Sequence, residues 1–250
     1  MTTWNLTETL DAICFDCDGT LSSIEGINEL ARTSDATDEV ETLTNIAMSE
    51  TGITPNIYSE RLKLIYPTRA HLLTLADTYS ENAAPDIIEV IQIYQRLNKA
   101  VYIISAGMNP AIKIFGSMLG IPSENIYAVD LFFDDSGNFQ KYDHTSPLVH
   151  NDGKRLLINQ IRAKHPKILH IGDGLNDVAT IDIVTRFVGY GGFYYREHIA
   201  ELCQFYIRSK SLSALLPLSL TAEEQQKLEA DEQGLYQKGL MAIKEGMVKV

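Results

Sequence analysis

The sequence predicts an α/β protein: a doubly wound, mostly parallel, Rossmann-like sheet with an inserted helical cap and a small β-hairpin flap. Three observations carry that expectation. Short apolar runs end abruptly in polar residues at Ala12–Phe15, Val101–Ile104 and Ile168–Ile171, the pattern of buried strands. Segments of helical period lie between them, and strands alternating with helices indicate parallel βαβ units. One long stretch, 22–84, breaks the alternation with helical spacing of its own.

Taken in order, the first run leads straight into Asp16-Cys17-Asp18-Gly19-Thr20. In the inserted stretch Val40, Leu43 and Ala47 share one helical face, and Leu62, Ile65 and Leu72 follow further on. Pro85-Asp86 then opens a helix marked by Ile87, Val90, Ile91, Tyr94 and Leu97. The second strand ends in Ser105-Ala106-Gly107, and Ile112, Phe115 and Leu119 repeat the helical period up to Gly120. Runs near 125–129, 187–189 and 205–207 read as further strands. Ser136-Gly137-Asn138, between the aromatic-rich arms of 132–142, signals the hairpin. A helix is expected over 153–163. Thr221-Ala222-Glu223-Glu224 has capping-box spacing and opens a final helix to about Lys244. The expected organisation is therefore a catalytic core over 1–21 and 85–220, a helical cap over 22–84, and a C-terminal helical extension over 221–250. That extension packs on the core or on a second subunit, which leaves a homodimer open.

Bulk properties narrow the function. The 250 residues suffice for one core with an insert, and 45% hydrophobic with 22% charged residues is ordinary globular composition. A formal net charge of −12 repels phosphate backbones and anionic lipid, so neither nucleic acid nor membrane is an expected partner. A small anionic substrate is compatible with it, because a pocket can be locally positive. No apolar run approaches a membrane span, and the first residues lack the basic start and apolar core of a signal peptide. The three cysteines, Cys14, Cys17 and Cys203, are an odd set without framework spacing, which fits a reducing compartment. Cytoplasmic placement is the expectation, with Cys14 and Cys17 as partly buried thiols rather than a redox or zinc pair.

The chemistry gathers at the strand ends. Asp16 and Asp18 stand two residues apart, and carboxylates so close repel unless a cation or a shared proton relieves them. A water-exposed acidic turn is the plain alternative for any isolated pair. Ser105 can donate to a phosphate oxygen, with backbone N–H groups around Ala106-Gly107 adding donors. Lys154 stands at a helix start, where ammonium and helix terminus both favour a phosphate. Asp173 and Asp177, in Gly172-Asp173-Gly174-Leu175-Asn176-Asp177, offer further metal-directed oxygens. Each signal alone is weak; four in this order, each at a strand end or helix start, are strong.

On these motifs the chain resembles the haloacid dehalogenase superfamily, and within it the phosphoserine phosphatases. The likeness runs from about residue 10 to 210: Asp16–Thr20, Ser105, Lys154 and Gly172–Asp177 match four motifs in turn. It implies a phosphomonoester hydrolase with Mg2+ as cofactor and a small-molecule phosphomonoester as partner. Asp16 would be the nucleophile and a metal ligand, forming an aspartyl-phosphate. Asp18 would be general acid and then base, with its backbone carbonyl on the metal. Asp173 would complete the protein's metal ligands and Asp177 support them, while Ser105 and Lys154 hold the phosphoryl group.

The cap adds a finer likeness. Glu25 matches a residue that contacts the substrate amino group, and Arg61 one that grips its carboxylate, a charge pair suited to an amino acid phosphate. The resemblance places Met48, Gly107 and Asn176 around the substrate with them, and puts O-phosphoserine first. Four positions depart from the family pattern: Ser49 and Glu50 replace glycines, Thr54 a common aromatic, and Ala106 a common glycine. These changes keep open a different small phosphomonoester, or transfer to an alcohol acceptor. A non-catalytic scaffold of the same fold is the remaining alternative, and the intact acidic set argues against it.

Overall fold

In the computed structural model of the chain, residues 4–32, 36–49 and 52–250 are described. β1 (Ala12–Phe15) is apolar throughout and all four of its residues are buried, so both faces of the strand are covered. The chain then leaves the sheet for α1 (Gly26–Ala31), α2 (Thr37–Ser49), α3 (Pro55–Ile65) and α4 (Arg69–Glu81), which form the helical cap. It returns through α5 (Ile87–Arg96), β2 (Ala100–Asn109), α6 (Ala111–Met118), β3 (Ile126–Phe133) and β4 (Phe139–Tyr142). Next come α7 (Gly153–Arg162), β5 (Ile168–Gly172), α8 (Leu175–Val178), β6 (Arg186–Tyr190), α9 (Glu197–Leu202) and β7 (Phe205–Ile207). α10 (Leu215–Ser219), α11 (Ala222–Gln225), α12 (Ala230–Lys244) and β8 (Val248–Lys249) follow.

The strands form one sheet in the order β4-β3-β2-β1-β5-β6-β7-β8, parallel except at its two edges, β4 and β8. Chain order runs outward from β1 in both directions, through β2 on one side and β5 on the other. That reversal is the topological switch point at which open α/β sheets bind ligands.

The cap helices start where their sequences provide caps. The Thr54 hydroxyl accepts from Ile57 N at 3.3 Å and Pro55 occupies the first helical turn. Thr68 and His71 exchange bonds across the start of α4. Backbone bonds tie the cap to the core, among them Ala84 N to Leu21 O at 2.8 Å, and Arg69 N to Gly137 O, at the tip of the β3–β4 hairpin, at 2.9 Å. Tyr58 of α3 also packs on Tyr142 of β4, ring centroids 5.0 Å apart.

Three expectations are corrected. The second strand does not stop before Ser105 but runs to Asn109, and its register against β3 shifts between Ile104 and Met108. Ser105 and Gly107 thus lie at a ladder irregularity, where backbone groups are released from strand pairing. The single helix expected over 221–244 is two, because a turn at 226–229 carries Leu228 into the core and Glu229 begins a second capping box with Glu232. The C-terminal segment also adds a strand, with Ile207 opposite Val248. It is pinned by a buried pair, Lys99 Nζ to Glu224 Oε1 at 2.5 Å, with Lys99 also reaching Leu10 O at 3.0 Å.

Candidate active site

The β1 tip delivers Asp16, whose N–H bonds Ile171 O of β5 at 2.9 Å, so neighbouring strands fix its backbone. Its Oδ1 lies 2.6 Å from Lys154 Nζ, carried by the first turn of α7. The same ammonium lies 2.7 Å from Asp177 Oδ1 on α8. Lys154, Asp173 and Asp177 are all buried, as is Asp16. One lysine therefore stands between carboxylates from two different elements.

Asp18 turns away from this cluster. Its Oδ1 accepts from Gly26 N and from the Tyr79 hydroxyl, both at 2.6 Å, and its Oδ2 from Ser105 Oγ at 3.1 Å. Ser105 Oγ in turn accepts Gly107 N at 2.8 Å. Asp16, Asp18, Glu25, Met48, Arg61, Gly107, Lys154 and Asn176 line one pocket, together with Ile27, Ile53, Tyr58, Ala106 and Met108. Glu25 and Arg61, from the cap, thus share a cavity with Asp16.

At the cap end two charged groups are buried, each with an atom that finds no partner among the described residues. Arg61 Nη1 donates to Thr44 Oγ1 at 3.3 Å and its guanidinium lies 5.8 Å from the Tyr58 ring centroid, yet Nε has no partner. Glu25 Oε1 likewise accepts no hydrogen bond, with Arg196 Nη2 3.9 Å away. Asn176 Oδ1 is a third such atom. The Tyr58 hydroxyl is a fourth, and since buried polar groups are normally satisfied, four such atoms around one cavity among the described residues mark it as a place for a polar ligand.

The electrostatics follow from burial. Desolvation and the neighbouring Asp177 raise the Asp16 carboxyl well above the carboxylate range, with Lys154 opposing. Burial and then Asp173 and Asp18 raise Glu25. Burial lowers Arg61. For Lys154 burial acts downward but is outweighed by Asp16 and Asp177, so it stays a cation. Asp177 is held low against its own burial by Lys154 and by His170, whose Nε2 lies 3.1 Å from Asp177 Oδ1.

Oxygens of Asp16, Asp173 and Asp177 lie within 4.8 Å of one another. Asp173 Oδ1 is buried and accepts no hydrogen bond among the described residues, while Oδ2 is held by Arg196. A donor set made wholly of carboxylates, with one oxygen left free, fits a hard divalent cation. The Asp18 side chain is engaged elsewhere, by Gly26, Tyr79 and Ser105.

A model of the haloacid dehalogenase-like hydrolases matches residues 10–181. The chain belongs to that family. Among haloacid dehalogenase-like hydrolases, it is 32% identical to phosphoserine phosphatase of Bos taurus over 205 residues, 81% of this chain and 91% of that protein. It is 33% identical to phosphoserine phosphatase of Homo sapiens over 199 residues, 79% of this chain and 88% of that one. The fold matches a phosphoserine phosphohydrolase-like protein from Francisella tularensis subsp. tularensis SCHU S4 with a TM-score of 0.75, covering 83% of this chain and 100% of that one at 24% identity. A substrate-bound phosphoserine phosphatase structure gives 0.73, over 84% and 98%, at 19% identity.

For this haloacid dehalogenase-like hydrolase the strand-end residues stand out in the sequence, and the residues that support them do not. Arg196, which pairs with Asp173 and approaches Glu25, comes from the segment after β6, where no spacing marks it. Tyr79 lies in the helical insert, where no motif singles it out. His170 stands inside an apolar run yet bonds Thr180 through Nδ1 at 2.7 Å. Of the four departing positions, Thr54 is a helix cap, Ala106 lines the pocket, Ser49 ends α2, and Glu50 lies outside the described residues. No helix among the described residues is long and apolar enough to cross a membrane.

Proposed function

We propose that this chain hydrolyses a small phosphomonoester bearing both an amino group and a carboxylate, O-phosphoserine first, through an aspartyl-phosphate on Asp16. The carrying observation is the polarity of one cavity. Asp16 and Lys154 stand at its floor beside the carboxylate cluster, and the orphaned atoms of Glu25 and Arg61 stand at its cap end.

Asp16 attacks phosphorus while the alkoxide leaves with a proton from Asp18. Water then gives a proton back to Asp18 as it attacks the acyl phosphate, which restores Asp16 and releases inorganic phosphate. Lys154 and Ser105 hold the phosphoryl oxygens, with Gly107 and Asn176 beside them. Bound by Asp16, Asp173 and the Asp18 carbonyl, with Asp177 behind them, Mg2+ would neutralise charge on the transferred group. Glu25 receives the substrate ammonium, Arg61 its carboxylate, and Met48 packs alongside. Residues 22–84 serve as the cap that excludes water, over a core of 1–21 and 85–220 with the segment 221–250 packed against it. The three free, buried thiols support cytoplasmic placement.

Mg2+-dependent release of phosphate from an aryl phosphate, lost in Asp16→Asn, is the expected result. Full turnover by that variant would remove the covalent mechanism. A panel of phosphorylated amino acids, amino alcohols and sugars decides the substrate. A preference for esters lacking the carboxylate would reject the Arg61 assignment.

A further inference from the structure

The acid–base carboxylate of the proposed reaction is held by a residue from the cap insert. We infer that Tyr79 is a positioning residue for Asp18, fixing Oδ2 as the oxygen that carries the transferable proton; this rests on the phosphatase reading above. The two oxygens of Asp18 are unequal. Oδ1 accepts two short bonds, from Gly26 N–H and Tyr79 O–H, each at 2.6 Å, which occupy both its lone-pair directions. Oδ2 accepts one longer bond, from Ser105 at 3.1 Å. A proton added to the carboxyl therefore settles on Oδ2.

The phenol is built into place. Tyr79 is fully buried, its ring stacks on Phe115 with centroids 5.5 Å apart at 16°, and its carbonyl accepts from Ser22 Oγ at 3.0 Å. A Cβ at Gly26 would lie 2.0 Å from the Tyr79 hydroxyl, so only glycine there lets both donors meet on Oδ1.

In the first step an Asp16 oxygen bonds phosphorus as the P–O bond to the leaving group breaks, that bond's electron pair stays on the leaving oxygen, and that oxygen takes the Oδ2 proton. In the second, water returns a proton to Oδ2 as its oxygen bonds phosphorus and the Asp16–phosphorus bond breaks. Without the phenol, Oδ1 competes for the proton and the carboxyl can turn away. An alkoxide needs the proton to leave; a nitrophenolate does not.

Tyr79→Phe keeps the ring stack and removes only the hydroxyl. With Mg2+ present, we expect its kcat on an alkyl phosphate to fall about 10- to 100-fold, a fraction of the roughly 100- to 10,000-fold that a positioned general acid supplies, and on p-nitrophenyl phosphate by no more than about threefold. KM should move less than about twofold, since the phenol does not touch the ligand. Equal losses on the two esters, or no loss on the alkyl ester, would overturn the assignment. If Tyr79→Phe does not fold, Tyr79→Leu serves, with the same alkyl-to-aryl ratio as readout. A wild type that releases phosphate from neither ester would overturn the phosphatase reading, and the Tyr79 role with it.

Discussion

Burial, Asp173 and Asp18 together raise the Glu25 carboxyl well above its ordinary 4.5, so ionising it opposes folding. Between 4.5 and the raised folded value the native chain holds more proton than the unfolded chain, and stability falls as pH rises through that window. Glu25→Gln removes the loss. Its melting temperature should exceed that of the wild type near about pH 7 and converge with it at low pH, while turnover of phosphoserine is lost. Calorimetry at both pH values, beside a phosphate-release assay, checks this; a variant less stable at neutral pH would contradict it. Arg61 reports on binding instead. A charge-assisted hydrogen bond contributes roughly 1.5–3 kcal/mol, so Arg61→Ala should raise KM for phosphoserine about 10- to 100-fold in steady-state kinetics. Lys154 has a structural duty as well. Lys154→Met leaves Asp16 and Asp177 buried without their cation, and urea unfolding should show a loss of about 3–5 kcal/mol.

Among the elements, the β3–β4 hairpin does more than extend the sheet. Its tip bonds Arg69 N through Gly137 O, and its second arm packs Tyr142 on Tyr58, less than one turn of α3 from Arg61, the cap residue proposed to hold the substrate carboxylate. Gly137 has φ of 83°, and although only Arg69 Cβ approaches the added carbon, the backbone itself disfavours a side chain. Gly137→Ala should therefore cost about 1–2 kcal/mol, seen as a lowered urea midpoint. The hairpin was legible because Ser136-Gly137-Asn138 supplies its turn chemistry locally. β1 and β5 were legible for a related reason: strands buried on both faces are apolar runs. The extension of β2 through Ser105 was not, because a ladder irregularity depends on what the neighbouring strand does. The split between α11 and α12 was hidden too, since Leu228 fits a continuous helical stripe as well as a turn folded into the core. β8, only two residues long, is recognisable from its partner alone.

For the molecule as a whole, carboxylates from β1, from the loop after β5 and from α8 meet at one switch point. Their mutual repulsion makes metal binding and stability one equilibrium. At about a hundred times its dissociation constant Mg2+ should stabilise the fold by about 2.7 kcal/mol, read as a rise in melting temperature that chelator reverses. Asp173→Asn should abolish the rise; a rise of equal size in that variant would place the ion elsewhere. The convergence itself could be read from sequence, because each motif follows an apolar run and parallel strands bring such ends together. Arg196 and Tyr79 could not, since each meets its partner, Asp173 or Asp18, from a distant segment, and His170 could not because it is hidden inside an apolar run. The two ends of the sheet carry a different consequence. An open parallel sheet offers unpaired amides to any passing chain, a template for aggregation, but here each border is a short strand running the other way. β4 has four residues and β8 two, too little ladder for a stranger to extend. Removing the final turn of chain would bare β7 and give such a stranger its purchase.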